Sequence, residues 1–314
     1  MKRTKPHRLS VSTENTTTQT QTGQVISAHG RHYFVELKDS GQVVKCFPRG
    51  KRGGICVGDW VDISTQGERA AIERLHERSN LLYRSDEMRT KQFAANIDRL
   101  LIVLAAEPMF SEDLVGRALV AAGTAGIEPI ILLNKADLDS VAVARQRLQP
   151  LADLGVPIFE ISALDPAQVQ SQLLDLLEDK TSLLLGQSGM GKSTILNALV
   201  PDAHAHTQEH SAALGAGKHT TTSTRLYHIP NSSGKIIDSP GFQAFGLAHL
   251  AAEDIVRGFS EFHDAIQHCK FYNCTHRHEP GCGVVTALEN GQIHPDRYAL
   301  YQRLLTELES QPKY

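Results

Sequence analysis

The octet Gly186-Gln187-Ser188-Gly189-Met190-Gly191-Lys192-Ser193 constrains this chain more than any other stretch. An aliphatic run, Ser182-Leu183-Leu184-Leu185, precedes it, and Ile195, Leu196 and Leu199 follow at helical spacing. The pattern predicts a buried strand, a glycine-rich turn and a helix, the context a G-x-x-x-x-G-K-S motif requires. Glycines let the backbone curl until several N–H groups face one phosphate, and the helix N-terminus adds positive potential. Lys192 is placed to reach the outer phosphates, and the Ser193 hydroxyl to ligate Mg²⁺. The phosphate-holding set then runs from Gly186 to Ser193 and on to Thr194. A glycine-rich turn joining two core elements is the competing reading, outweighed by the full octet with both flanks in place. The octet implies a nucleoside triphosphate site.

Upstream, Ile97-Asp98-Arg99-Leu100-Leu101-Ile102-Val103-Leu104 and Ile130-Ile131-Leu132-Leu133 are near-continuous apolar runs, as in parallel strands covered on both faces. Segments 111–122, 139–154 and 166–178 carry helical periodicity between and after them. Strand alternating with helix predicts a doubly wound α/β domain, placed at 93–246. The second strand ends in Asn134-Lys135-Ala136-Asp137, at the edge where such sheets bind ligands. An aspartate there can accept from N1–H and N2–H₂ of guanine, a donor pair adenine lacks. Asn134 is expected to brace the loops, and the Lys135 stem to lie along the base. A further strand, 156–161, ends in Ser162-Ala163-Leu164, where a backbone N–H can meet the guanine O6. Together these parts resemble the GTPase family of P-loop proteins with their order changed. The base-reading loops ordinarily follow the phosphate loop; here they precede it, so the domain resembles a circularly permuted GTPase. A domain whose termini lie close together tolerates such rewiring.

Residues 201–223 are polar and too loose for regular structure, which suits a mobile switch. They hold Gly217-Lys218-His219-Thr220-Thr221-Thr222, from which one threonine, Thr221 by preference, is expected on Mg²⁺. Asp238-Ser239-Pro240-Gly241 resembles the D-x-x-G loop: Asp238 would hold a Mg²⁺-bound water, and the Gly241 N–H would meet the γ-phosphate. Phe242 stands where many GTPases carry a glutamine that orients the attacking water. A phenyl ring cannot do this, so intrinsic hydrolysis should be slow and completed by another group. His219 is the nearest candidate, because an imidazole can position water. The expected catalytic set is Lys192, Thr221 and His219.

Before the α/β region, residues 23–76 change to short alternating segments punctuated by Gly30, Gly41, Gly53-Gly54, Gly58 and Gly67. About five strands in some fifty residues predict a small barrel of the OB type. Arg49, Lys51 and Arg52 in one glycine-rich loop suit a phosphate backbone, although an exposed loop needs charge anyway. Tyr33, Phe34 and Phe47 can stack on bases, but strand aromatics are more often core, and Trp60 is assigned to packing. Residues 1–22 carry too few apolar groups to bury and are expected to be disordered, and 77–92 reads as a polar connector.

At the other end, Cys269, Cys274, His276 and Cys282 form a C-x4-C-x-H-x5-C arrangement, with His278 a rival that fits the spacing less well. Three thiolates and one imidazole satisfy tetrahedral Zn²⁺ without an open position, which makes one structural ion the expected cofactor besides Mg²⁺. Helical stretches at 253–268 and 295–309 complete a zinc-binding domain over 247–314. The net charge of −3 excludes an overall basic field, so any RNA contact must be a local patch. No apolar run approaches a membrane span, and the basic N-terminus lacks a secretory apolar segment. Five cysteines, an odd number bunched late, argue against a disulfide framework. A soluble, cytoplasmic chain is expected, a monomer by default.

A barrel, a permuted GTPase domain and a Cys/His domain in this order closely resemble the ribosome-small-subunit-dependent GTPase A family of bacteria, from about residue 23 onward. The resemblance implies a late assembly factor that binds the 30S subunit, contacts 16S rRNA, hydrolyses GTP to GDP and leaves. It also implies that the barrel and the zinc domain are the subunit-binding parts. One alternative is a GTP-responsive RNA-binding module with little hydrolysis. A P-loop kinase would share residues 186–193 but has no use for a guanine-reading Asp137.

Overall fold

The structure is a computed structural model that describes residues 20–30, 32–49, 54–66, 69–86, 89–201, 203, 224–239, 247 and 249–310. Its first five strands are β1 (Thr20–His29), β2 (His32–Leu37), β3 (Val43–Pro48), β4 (Trp60–Gln66) and β5 (Arg69–Leu75). They pair in the order β1-β2-β3-β5-β4, and β4 returns to β1, closing a five-stranded barrel with β3 parallel to β5. Period-2 alternation fills it: Val25, Val35, Leu37, Cys46, Val61, Ile63 and Ile72 are buried inside. Alternation also separates the aromatics, for Tyr33 is buried whereas Phe47 is 44% exposed. Trp60 is half-buried with the Lys235 ammonium 5.4 Å from its ring centre.

The first strand begins earlier than the predicted boundary at residue 23. Thr20, Gln21 and Thr22 pair with Ser64, Ile63 and Asp62, and the Thr22 hydroxyl donates to Asp62 at 2.8 Å. Polar composition concealed this, because ladder hydrogen bonds need no apolar side chain. The expected connector is likewise structured. Its central part folds as an antiparallel hairpin of β6 (Leu81–Asp86) and β7 (Arg89–Ala95), with β7 bridged to the barrel through Val57 and Ala94. Arg78 ties the same junction by donating to the fully buried Asp59 through Nε (2.7 Å) and Nη2 (2.8 Å).

The α/β region follows: β8 (Arg99–Ala105), α1 (Glu112–Ala125), β9 (Glu128–Asn134), α2 (Val141–Asp153), β10 (Ile158–Ile161), α3 (Pro166–Leu177), β11 (Thr181–Leu185), α4 (Lys192–Leu199), β12 (Arg225–His228) and β13 (Lys235–Asp238). Local chemistry sets the helix ends. Ser111 caps α1 by accepting from the Leu114 N–H, Asp165 caps α3 from one carboxylate oxygen, and Gly126 ends α1 at φ 67°. The sheet order is β10-β9-β8-β11-β13-β12, parallel except for β12. Register therefore brings the carboxyl ends of β9, β10, β11 and β13 to one edge. At the other side β12 touches β1 through Ser27 and Arg225, so the sheet continues into the barrel.

The C-terminal region is helical: α5 (Ala252–Arg257), a 3₁₀ turn (Ser260–Phe262), α6 (His263–Ile266), α7 (Gly283–Glu289) and α8 (Pro295–Ser310). The single helix expected over 253–268 is thus broken. At Gly258 the chain presses against α1, where a Cβ would stand 2.9 Å from Val120 Cα, and Phe259 and Phe262 then turn into the core. Tyr298, Leu300, Tyr301, Leu304 and Leu305 of α8 are buried as their spacing predicts.

Candidate functional site

The octet forms the turn between β11 and α4. A Cβ on Gly186 would lie 2.4 Å from the Val103 carbonyl oxygen, and Gly191 sits at φ 93°. Lys192 folds back over this turn, donating to Gly186 O at 2.7 Å and Gln187 O at 2.9 Å. Burial pushes its ammonium down from the ordinary lysine value, with partial compensation from the Asp238 charge. Met190 is buried, whereas Ser188, Gly189, Ser193 and Thr194 are exposed at the mouth. Asp238, at the end of β13, is buried, and the next residue, Ser239, donates its hydroxyl to Leu184 O at 2.7 Å.

The base-reading loops converge on the same edge. Asn134 Nδ2 donates to Met190 O at 2.9 Å, and its Oδ1 accepts from the Ala163 N–H at 2.9 Å. One buried side chain thus joins the phosphate loop to both upstream loops. Lys135, at φ 61°, donates to Glu107 O, and the Ser162 hydroxyl donates to Asp137 Oδ1 at 2.6 Å. Asp137 itself is exposed, its carboxylate held by Ser162 at the open edge of the site. The Ser162 N–H is donated to Gln168 Oε1 and the Ala163 N–H to Asn134, so both brace the loop. Two further links had no local sequence signal: the Gln168 brace, and the Ser111 N–H donated to Gln187 Oε1 at 2.9 Å. His219, Thr220, Thr221, Thr222, Gly241 and Phe242 lie outside the described residues.

A second cluster gathers at the C-terminal region. The ligand atoms of Cys269, Cys274, His276 and Cys282 all lie within 4.8 Å of one another. His276 Nδ1 is 3.5 Å from Cys269 Sγ and 3.6 Å from Cys282 Sγ. A tetrahedral zinc ion would separate nitrogen from sulfur by about 3.6 Å. The donor set therefore fits a metal, and His278 is exposed and outside it. Burial pushes the Cys274 thiol up to about 12, so a bound cation is what would hold it as thiolate. Packing fixes the loop: Tyr298 and Tyr301 hydroxyls donate to His276 O and Thr275 O, each at 2.8 Å. Glu279 accepts from the Thr275 hydroxyl and from the Thr275, Arg277 and His278 N–H groups. The Thr275 hydroxyl bond is the foremost cause that holds its carboxyl well below the usual range.

The family model described as RsgA GTPase matches residues 75–248. The chain is 62% identical over 287 residues to the small ribosomal subunit biogenesis GTPase RsgA of Bordetella pertussis (strain Tohama I), covering 91% of this chain and 95% of that one. It is 52% identical over 288 residues to the protein of the same name in Burkholderia pseudomallei (strain K96243), covering 91% of each. Among solved structures, YjeQ from Thermotoga maritima aligns with a TM-score of 0.72 at 30% identity, over 94% of this chain and all (100%) of that one. YloQ, a circularly permuted GTPase, aligns with a TM-score of 0.69 at 27% identity, over 96% and 100%. Among the described residues, no helix is long and apolar enough to cross a membrane.

Proposed function

The chain belongs to the RsgA GTPase family, and from that premise we propose that it hydrolyses GTP to GDP in late maturation of the small ribosomal subunit, released from the subunit after cleavage. The observation that carries this reading is the Asn134 side chain, hydrogen-bonded to both the phosphate loop and the Ser162-Ala163 loop. A guanine-reading segment and a phosphate-reading segment, out of order in sequence, then serve one nucleotide.

In this scheme Asp137, oriented by Ser162, reads the base, with Asn134 and Ala163 holding the loops and Lys135 flanking it. The turn from Gly186 to Thr194 presents its amides to the phosphates, and Lys192 neutralises charge on the outer ones. Ser193, Thr221 and Asp238 would hold Mg²⁺ directly or through water, which supplies electrostatic stabilisation of the phosphoryl oxygens. Gly241 would sense the γ-phosphate. His219 is assigned to water positioning, because Phe242 cannot orient a nucleophile. The cysteine cluster is assigned to one structural Zn²⁺, as three thiolates and an imidazole leave no open position.

The partners are the 30S subunit and its 16S rRNA, bound in the cytoplasm by a monomer. The subunit-binding parts are the barrel, which its first strand extends back to Thr20, and the C-terminal domain over 247–314, which flank the GTPase domain, 93–246, along the chain. Purified 30S subunits should raise GTP turnover many-fold over the isolated protein. An unchanged rate, with GTP still bound, would reduce the protein to a GTP-responsive binder.

A further inference from the structure

We propose that the turn between Cys269 and Cys274 is a nucleobase-stacking contact for ribosomal RNA, anchored by Tyr272; this rests on the ribosomal reading above and names the chemistry of one of its contacts. Tyr272 has a relative exposure of 103%, and Phe271 beside it is 40% exposed. A tyrosine ring so fully exposed contributes little to the packing of its own chain, and tyrosine, apolar in body and polar at its tip, is enriched at interfaces.

The ring stands on a rigid mount. The Cys274 N–H donates to Phe271 O at 3.3 Å, closing a turn whose second residue is Tyr272. The Lys270 N–H donates to Gly281 O at 3.0 Å, and cluster cysteines flank the turn on both sides. Little backbone freedom remains to be lost on contact, which favours binding by a preorganised ring.

Charge identifies the occupant. Residues 265–278 contain no aspartate or glutamate, and Lys270, His268 and His278 among them are exposed. The next carboxylate, Glu279, is turned inward onto Thr275, Arg277 and His278 amides, and Arg277 is occupied by Glu309 at 3.0 Å. The Lys270 ammonium lies 5.6 Å from the Phe271 ring centre, so cation and π-face are presented together. On a chain of net charge −3 this is a local patch suited to a polyanion with flat apolar faces. RNA meets both demands. A paired base is stacked within its helix, so the contact needs an unpaired base in a loop, bulge or end.

The test uses the full-length, zinc-loaded chain with purified 30S subunits and a non-hydrolysable GTP analogue at fixed salt. Tyr272→Ala should weaken binding about five- to 150-fold, the range base–aromatic stacking gives on alanine substitution. Tyr272→Phe should bind like the wild type, and Tyr272→Leu should not restore binding, with zinc content the same in all. Chemical probing should show an unpaired rRNA base protected by wild type and freed with Tyr272→Ala. Equal binding by Tyr272→Ala and wild type overturns the stacking contact while leaving the ribosomal reading intact. Restoration by Tyr272→Leu overturns it too, pointing to an apolar pocket on a ribosomal protein. Failure of the wild type itself to bind 30S subunits sinks the ribosomal reading, and this inference with it.

Discussion

Gly191 and Asn134 compete for one volume: a Cβ at residue 191 would lie 2.1 Å from Asn134 Nδ2. Glycine leaves that space to the amide, which reaches past it to Met190 O at 2.9 Å. The third glycine of the octet therefore has a tertiary reason beyond its φ of 93°. It admits the residue that couples the two halves of the proposed nucleotide site.

Gly191→Ala should accordingly weaken guanine nucleotide binding. The substituted residue meets both a left-handed backbone and the Asn134 amide, at a strain of about 1–3 kcal/mol. Isothermal titration with GDP should show at least a tenfold weakening. Tight binding with an unshifted melting temperature would show that the loop yields without cost.

Asp137→Asn should exchange guanine preference for xanthine. The carboxylate accepts from two guanine donors, and an amide presents a donor where guanine also donates. Competition between GTP and xanthosine triphosphate reads the switch directly. Unaltered GTP affinity would remove Asp137 from base recognition.

Cys282→Ser should abolish stoichiometric zinc and unfold the C-terminal helices selectively. Structural zinc sites carry apparent binding energies of about 10–16 kcal/mol near neutral pH, so losing one ligand removes a large share of local stability. Metal analysis alongside circular dichroism checks this. A full zinc complement in the variant would reassign the ligand set.

Arg297→Met should destabilise the same region by about 3–5 kcal/mol, by leaving a buried carboxylate alone. Arg297 donates to Glu261 at 2.6 Å, with side chains only 9% and 3% exposed. Adding Glu261→Leu should recover much of the loss, since no isolated charge then remains. Chemical denaturation of both variants separates the pair from its packing.

The barrel should weaken in acid through Asp62. Burial would raise this carboxyl, but hydrogen bonds from His76, Thr22 and Arg74 outweigh it and hold the value at about 2. A depressed value stabilises the folded state above the unfolded carboxyl value of about 3.9 and is lost as pH falls through 2. Asp62→Asn should flatten stability over that window. A wild-type profile that is already flat there would remove the residue's role in closing β1 onto β4 and β5.

Elements with strong local signals can be read from the residues alone. The phosphate loop is legible because Gly186, Gly191 and Lys192 sit at fixed spacing between an aliphatic run and a helical one. The metal cluster is legible because Cys269, Cys274, His276 and Cys282 lie close along the chain. The parallel strands are legible because burial on both faces leaves no polar alternation.

Tertiary structure alone decided how these parts meet. Asn134 and Met190 are far apart in the chain, and only the order β9-β8-β11, with its register, puts their atoms in contact. Ser162 on Asp137, Ser111 on Gln187 and Glu261 on Arg297 are likewise non-local pairs, invisible to any periodicity. Thr20–Thr22 departs from the expected disorder for a related reason: a polar segment becomes a strand when a partner edge supplies its backbone hydrogen bonds, and that edge comes from β4. Local pattern sets what each segment can become. Sheet pairing, a long-range choice made to satisfy buried backbone groups, sets which side chains become neighbours.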